Sequence, residues 1–295
     1  MLRLGTRGSA LALAQSGMVA AALTKQTGQE VDLVVIRTTG DRIQDRPLRD
    51  IGGKGLFTKE IEEALFSGDV DFAVHSLKDL PTRGPKGLVL ASIPERASPW
   101  DCLVGSTWAA LDSGARIGTG SQRRRVQLEA LRPDIQVVPI RGNVDTRVGM
   151  VRDGRLDAVV VALAGLERLG RSEEAAAVLS SDVMVPAAAQ GALALQCREG
   201  DARVLDALET VHDPETARCV AVERSFLGTL EGDCSVPAGC HAWTEGDQLV
   251  AHACYADDAG VRSLVSRSDL LHGFALGRDL AGRLLRGEGD AVAPR

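Results

Sequence analysis

The apolar positions along the chain change period repeatedly, and each change marks an element. Leu2–Gly5 reads as a short strand, and Ser9 stands where it would cap a helix running to about Gln26. Val31–Arg37 is β-branched and predicts a buried strand. From Thr38 to Gly55 the pattern gives way to polar residues with Gly40, Pro47, Gly52, Gly53 and Gly55. Such a stretch is long for a connection inside a compact domain and suits either a functional lid or disorder. Phe57, Ile61, Ala64 and Leu65 return to helical spacing. Asp71-Phe72-Ala73-Val74 is a short strand entering His75-Ser76-Leu77-Lys78-Asp79-Leu80-Pro81, and Leu88–Ile93 is another strand.

After Pro94-Glu95-Arg96-Ala97-Ser98-Pro99, which reads as a crossing linker, the alternation restarts. Strands at Cys102–Val104, Arg116–Gly118, Ile135–Ile140 and Ala158–Val161 are separated by helical runs at Ser121–Leu131 and Val144–Asp153, with a short helix at Leu166 and Leu169. Strands alternating with helices predict α/β architecture with mainly parallel pairing. Ala192–Gln196 reads as a segment returning to the first unit. A linker near Val211-His212-Asp213-Pro214 opens a third unit, whose first helix carries Phe226, Leu227 and Leu230 on its apolar face. Gln248–Tyr255 and Val261–Ser266 then flank the turn Asp257-Asp258-Ala259-Gly260, and Leu276, Leu280 and Leu284 mark a last helix. This is the pattern of a small α+β domain with an antiparallel sheet. Residues 287–295 are expected to fray. The expected organisation is an α/β lobe at 1–95 plus about 190–210, a second α/β lobe at 96–189, and an α+β domain at 211–295.

Composition narrows what these lobes can do. At 295 residues, 44% apolar and 25% charged, the chain has the material for two or three cores. Its net charge of -6 argues against a general nucleic-acid binder, which needs a basic footprint. Six cysteines dispersed over this length suit a reducing, cytoplasmic compartment rather than a disulfide framework. The N-terminal apolar run is short and interrupted by Arg7, so it reads as a strand and helix, not a leader. No apolar stretch is long enough to span a membrane. Charge patterning offers no strong dimer surface, and a monomer is the default.

Within this acidic chain the middle lobe concentrates cations. Arg123, Arg124 and Arg125 open the helix that Ser121 should cap; Arg141-Gly142-Asn143 joins a strand end to a helix start; Arg147 and Arg168 follow. Helix N-termini present free N–H groups, and guanidinium forks pair carboxylates or phosphates. A solvated basic face would use the same residues. Their place at strand ends and helix starts, where open α/β sheets take ligands, favours an anion site. Lys78-Asp79 follows a strand end; the carboxylate suits stabilising a cation, or equally a cap or surface ion pair. His75 alone is more often a core histidine. Cys234 lies two residues after Gly232, where a helix stops, and three before Pro237. It is either a small hydrophobe near a turn or a thiol held in position. Gly118-Thr119-Gly120 lacks the rest of a dinucleotide loop, and Gly52-Gly53-Lys54-Gly55 lacks the spacing of a Walker loop. Cys234, Cys240, His241, His252 and Cys254 match no usual zinc spacing, so no metal is expected.

The run Glu223-Arg224 … Leu230-Glu231-Gly232-Asp233-Cys234-Ser235-Val236-Pro237 resembles the cofactor-attachment signature of the porphobilinogen deaminase family. Thr6-Arg7-Gly8-Ser9, Gly52-Gly53-Lys54-Gly55-Leu56-Phe57, Ala73–Asp79, Arg141-Gly142-Asn143 and Pro186 … Gln190-Gly191-Ala192 resemble its other motifs, in order. The resemblance implies two lobes like those of periplasmic binding proteins and a third domain bearing the cysteine. It implies a dipyrromethane cofactor on Cys234 through a thioether. On it porphobilinogen units, each losing ammonia, would condense head to tail before hydrolysis releases hydroxymethylbilane for tetrapyrrole and heme synthesis. Asp79 matches the catalytic Asp. Arg7, Ser9, Lys54, Lys78, Thr119, Ser121, Arg123, Arg124, Arg141, Gly142, Arg147 and Arg168 match positions that bind cofactor or substrate, whose acetate and propionate groups make the growing chain a polyanion. Asp233, Gly120, Gln122 and Trp100 depart from the family pattern; Trp100 stands where an Arg is usual and puts a hinge ion pair in doubt. A two-lobed receptor for a small anion shares the fold and the arginines but needs no special thiol.

Overall fold

The computed structural model describes residues 1–39, 58–230 and 236–294. They form two compact units, Met1–Arg96 with Ala192–Ala217, and Ala97–Gly191 with Arg218–Arg295.

The first unit is built on a five-stranded sheet of order β2-β1-β3-β10-β4. Its strands are β1 (Leu2–Thr6), β2 (Val31–Val35), β3 (Phe72–Ser76), β4 (Leu88–Ser92) and β10 (Leu193–Arg198). The helices are α1 (Ala10–Thr27), α2 (Lys59–Ser67) and α6 (Ala202–Glu209). β1 runs parallel to β2 and β3, whereas β10 is antiparallel to both β3 and β4. One sheet face packs Leu4, Phe72, Val74 and Leu195 against Val19 and Leu23 of α1 and Leu208 of α6. The other face sets Ala73 and Leu88 against Ile61 and Leu65 of α2. Ser9 caps α1, its side chain accepting from Ala12 N. Helices on both faces bury the parallel β1-β3 part of the sheet from water.

Within the second unit a sheet of order β7-β6-β8-β5-β9 uses β5 (Asp101–Val104), β6 (Arg116–Thr119), β7 (Gln136–Pro139), β8 (Ala158–Ala162) and β9 (Ala177–Leu179). α3 (Gln122–Leu131), α4 (Val144–Arg152) and α5 (Leu163–Arg168) cover it. β8 reads Ala-Val-Val-Val-Ala because it is interior and buried on both faces. Leu128 of α3 packs on one face and Val148 of α4 on the other.

α7 (Pro214–Thr229) starts in the first unit and continues into the second. Beyond it β11 (Ala238–Glu245), β12 (Gln248–Asp257), β13 (Gly260–Asp269) and β14 (Asp290–Ala291) form an antiparallel sheet in chain order, with α8 (Gly273–Leu285) between the last two. Val222 and Phe226 of α7 and Leu276, Leu280 and Leu284 of α8 fill one face of that sheet. The helices meet so closely at Gly277 that a Cβ there would lie 2.2 Å from Val222 O.

Four expectations change. The strand at Val31 ends at Val35 and lies at the sheet edge, with Leu33 40% and Val35 52% exposed, so its apolar run does not signal burial. Pairing is less parallel than the alternation suggests, because β5 is antiparallel to both its neighbours and β10 to both of its own. Residues 211–214 are no free linker: Asp213 N bonds Ile93 O and its carboxylate caps α7 at Thr216 N. The C-terminal stretch holds β14, paired with Arg262 and Ser263 of β13.

Candidate functional site

Sequence-predicted residues gather at the carboxyl ends of parallel strands in each unit, where open α/β sheets expose backbone and helix starts. In the first unit β1 leads through Arg7 to Ser9 at the start of α1, and β3 leads into the 3-10 turn Leu77–Asp79. Gln15 of α1 donates to Ser76 Oγ at 3.0 Å, and Ser16 donates to Thr6 Oγ1 at 2.7 Å, so the helix fastens both strand ends. Arg7 and Lys78 are half-buried and Asp79 is exposed on the turn. His75, one residue before the end of β3, is buried and bonded through Nε2 to Gln196 Oε1 at 3.0 Å. Burial lowers its pKa to about 4, with the Gln196 bond opposing and the charge of Arg7 assisting.

In the second unit the site is built on a buried carboxylate. Asp101 opens β5 and is fully buried. Arg123 NH1 donates to its Oδ2 at 2.7 Å, and Arg124 donates to Oδ1 from Nε at 2.9 Å and NH2 at 2.7 Å. Gln190 Nε2 adds a bond to Oδ1 at 3.0 Å. Burial alone would raise this carboxyl; the two guanidinium groups outweigh it and hold Asp101 well below the usual carboxylate range. Arg123 and Arg124 are each 4% exposed, and two cations on one anion leave one positive charge over. Arg123 NH1 also reaches Val185 O and Arg124 NH1 reaches Val160 O, yet Arg123 Nε is buried without a partner among the described residues. Among the described residues Arg141 NH1 and Arg168 Nε are buried and unpartnered too. Arg168 donates from NH2 to Gly191 O at 2.6 Å, and burial lowers its pKa to about 10.

The turns between these arginines are set locally. Ser121 caps α3 by accepting from Arg124 N, and Thr119 Oγ1 accepts from Ser121 N at 3.2 Å. Gly142 has φ +111, and a Cβ there would meet the Thr146 side chain at 2.6 Å, so glycine is needed. Arg147 Nε donates to Gly142 O at 2.9 Å.

The segment from Val185 to Gly191 ties this cluster to the third sheet. Val185 O accepts from Arg123 and Gln127, Pro186 O accepts from Cys240 N of β11, and Ala189 N donates to Glu223 of α7. Glu223 is fully buried and also accepts from Ala242 N at 2.8 Å. Trp100, where the family pattern has Arg, packs edge-on against His241, its ring centroid 4.9 Å away. Cys234, Asp233 and Lys54 lie outside the described residues. Sequence reading missed Asp101 and quoted Gln190 and Glu223 only as members of motifs, without a role. The legible signal was a carboxylate opening an otherwise apolar strand, Asp101-Cys102-Leu103-Val104.

Among the described residues no helix is long and apolar enough to cross a membrane, and no group of three or more His, Cys, Asp or Glu comes together as a metal site. Residues 2–206 match the family model for the porphobilinogen deaminase dipyromethane cofactor binding domain, and residues 217–286 match that of the porphobilinogen deaminase C-terminal domain. The chain is 49% identical over 268 residues to a porphobilinogen deaminase of Sorangium cellulosum, covering 88% of each chain. It is 46% identical over 298 residues to that of Syntrophotalea carbinolica, covering 99% of this chain and 94% of the relative. Among solved structures, a methionine-binding protein aligns with TM-score 0.46 and 12% identity over 76% of this chain and 94% of its own.

Proposed function

The chain belongs to the porphobilinogen deaminase family, and from that premise we propose how its own residues carry the reaction. The function is that of a porphobilinogen deaminase, a transferase of tetrapyrrole biosynthesis that works with a dipyrromethane cofactor. Four porphobilinogen units condense head to tail with loss of ammonia, and hydrolysis then gives hydroxymethylbilane. We assign Cys234 as the attachment point.

The observation that carries the assignment is the surplus cation at the start of α3. Arg123 and Arg124 share one buried carboxylate, and Arg123, Arg141 and Arg168 each keep a buried nitrogen with no partner among the described residues. Orphaned guanidinium donors fit the acetate and propionate groups of pyrroles, because each fork can take a carboxylate two bonds at a time. Arg123, Arg124, Arg141, Arg147 and Arg168, with Thr119, Ser121 and the backbone at Gly142, would hold these carboxylates. The dipyrromethane, when bound, supplies the pyrrole carbon that takes the next unit. Arg7, Ser9, Lys54 and Lys78 would bind cofactor or substrate as well. Asp79, exposed on the turn after β3, would hold pyrrole N–H groups and offset the positive charge that develops as ammonia leaves.

We further read the sheet β11-β12-β13-β14 with α7 and α8 as a third domain, at about 211–295, beside lobes at 1–95 with 190–210 and at 96–189. A monomer in the cytoplasm, acting on a small molecule and not on nucleic acid, completes the reading. Five buried free thiols and a net charge of -6 support it. The test is the intact mass of freshly purified, active protein. It is expected to exceed the sequence mass by about two pyrrole units, and Cys234→Ser is expected to remove the increment. Active protein at the bare sequence mass would refute the attachment; bare mass with no turnover but reversible anion binding would favour a receptor that merely binds an anion.

A further inference from the structure

Arg171 stands just after α5, where Gly170, with φ +67, turns the chain. Its backbone N–H donates to Leu166 O at 2.9 Å. Its guanidinium meets the Glu174 carboxylate two bonds at a time, Nε to Oε1 at 2.6 Å and NH2 to Oε2 at 2.8 Å. The remaining nitrogen, NH1, donates to Asp145 Oδ1 in the first turn of α4. Arg152, in the last turn of α4, closes the network on Glu174 Oε1 at 3.2 Å. Two arginines thus balance two carboxylates. The Arg171 side chain is mostly covered, 18% exposed, whereas Asp145 is 59% exposed.

Asp145 is an odd residue to find at an anion site. Arg141 lies just before α4, its NH1 buried with no partner among the described residues. Arg147 folds back toward the same helix end, its Nε donating to Gly142 O at 2.9 Å. First-turn N–H groups and the helix dipole add positive potential there. A carboxylate four residues after Arg141 and two before Arg147 puts a negative charge inside that field, against the acetate and propionate groups of a pyrrole. Left bare, it would repel them. An exposed ion pair is usually worth little, because two free side chains must be ordered to make it. Here Glu174 already fixes the far edge of the Arg171 fork, so less freedom is lost in reaching Asp145.

We propose that Arg171 is a positioning residue for the anion site: it holds the Asp145 carboxylate and cancels its charge, so that the start of α4 stays attractive to substrate carboxylates. The inference rests on porphobilinogen being the substrate. Arg171 acts through Asp145 and is itself engaged on Glu174.

The sign of the charge left behind separates this role from that of a structural tether. Arg171→Met bares Asp145 and is expected to raise KM for porphobilinogen about fivefold, the size of one charge at a helix end, with kcat nearly unchanged. Asp145→Asn leaves the cation over and is expected to lower KM. The double variant is balanced again and should return close to wild type. Arg171→Lys keeps the charge and should lie nearer wild type than Arg171→Met does. These differences should shrink in 1 M salt, where the Debye length is about 3 Å. A tether would be lost in both single variants and in the double, so KM raised alike in all three would overturn the proposal. An unchanged KM in Arg171→Met would overturn it too. Calorimetry in the Asp79→Asn background, where the cofactor is expected to stay and turnover to be slow, reads binding without catalysis. The dissociation constants for porphobilinogen should follow the same order there, and a different order counts against the proposal. If Arg171→Met does not fold, as judged by urea titration, Arg171→Gln takes its place in the series. Wild-type protein that turns over porphobilinogen while the series stays flat overturns this inference alone. Wild-type protein without pyrrole mass or turnover removes the substrate reading beneath it.

Discussion

Replacing Asp101 by Asn tests whether the arginine cluster is held by one charge. The carboxylate is fully buried and accepts four hydrogen bonds, one from Arg123, two from Arg124 and one from Gln190. Asn is nearly the same size but has one acceptor end and one donor end. Turned either way, its NH2 faces a guanidinium that also only donates. Two cations, each 4% exposed, then lose their counter-charge. Removing one partner from a buried ion pair typically costs about 3–5 kcal/mol. With an m-value of ~2–3 kcal/mol/M in urea, the transition of the second unit should move down by ~1–2 M. Far-UV circular dichroism with urea measures it. The pH dependence supplies a sign. A carboxyl whose pKa is depressed by folding contributes stability above its unfolded value, about 3.9, and loses it as pH falls through the folded value. The gap between wild type and Asp101→Asn should therefore be full at neutral pH and shrink only below pH ~4. A variant within about 1 kcal/mol of wild type at pH 7, no more than an average point substitution costs, would refute the idea that this carboxylate balances the two arginines.

Asp79→Asn is expected to keep the covalent mass and lose turnover by about 10²–10³-fold; turnover near wild type, with mass intact, would take Asp79 out of the chemistry. Gly277→Ala should destabilise the second unit by about 1–3 kcal/mol, since the new Cβ would sit 2.2 Å from Val222 O; an unchanged urea midpoint would mean that α7 and α8 can slide apart freely. His75 has its pKa lowered to about 4 by burial, so the unfolded chain takes up its proton first as pH falls. Stability of the first unit should drop between pH 6.5 and 4 by up to ~3 kcal/mol, and His75→Gln should flatten that slope in pH-dependent urea titrations.

Much of this architecture was legible in the chain. Ser9, Ser121 and Asn143 each announced a helix start and each accepts from the expected backbone N–H. Leu276, Leu280 and Leu284 marked a face that is fully buried or nearly so. Partners across long sequence separations were not legible. Nothing local in Asp101 says that it will meet Arg123, Arg124 and Gln190, because that meeting depends on β5 entering the sheet antiparallel, beside β8. The apolar run at Val31 misled for the same reason: periodicity reports which residues prefer burial, while sheet order decides which strand stands at the rim. The sequence pointed to the arginines at the start of α3, but not to the carboxylate that orders Arg123 and Arg124, which lies about twenty residues away in β5.

The position of β10 has a consequence for how the chain is made. It inserts between β3 and β4, although Ala97–Gly191 separates it from them in sequence. A ribosome adding about 5–20 residues per second would release β3 and β4 some 5–20 s before their common neighbour. During that interval two strand rims with unsatisfied amides are offered to any other nascent polypeptide. Chaperone demand during synthesis should accordingly centre on this early half-sheet, and moving residues 192–217 to directly follow Arg96 in a rearranged gene should relieve it.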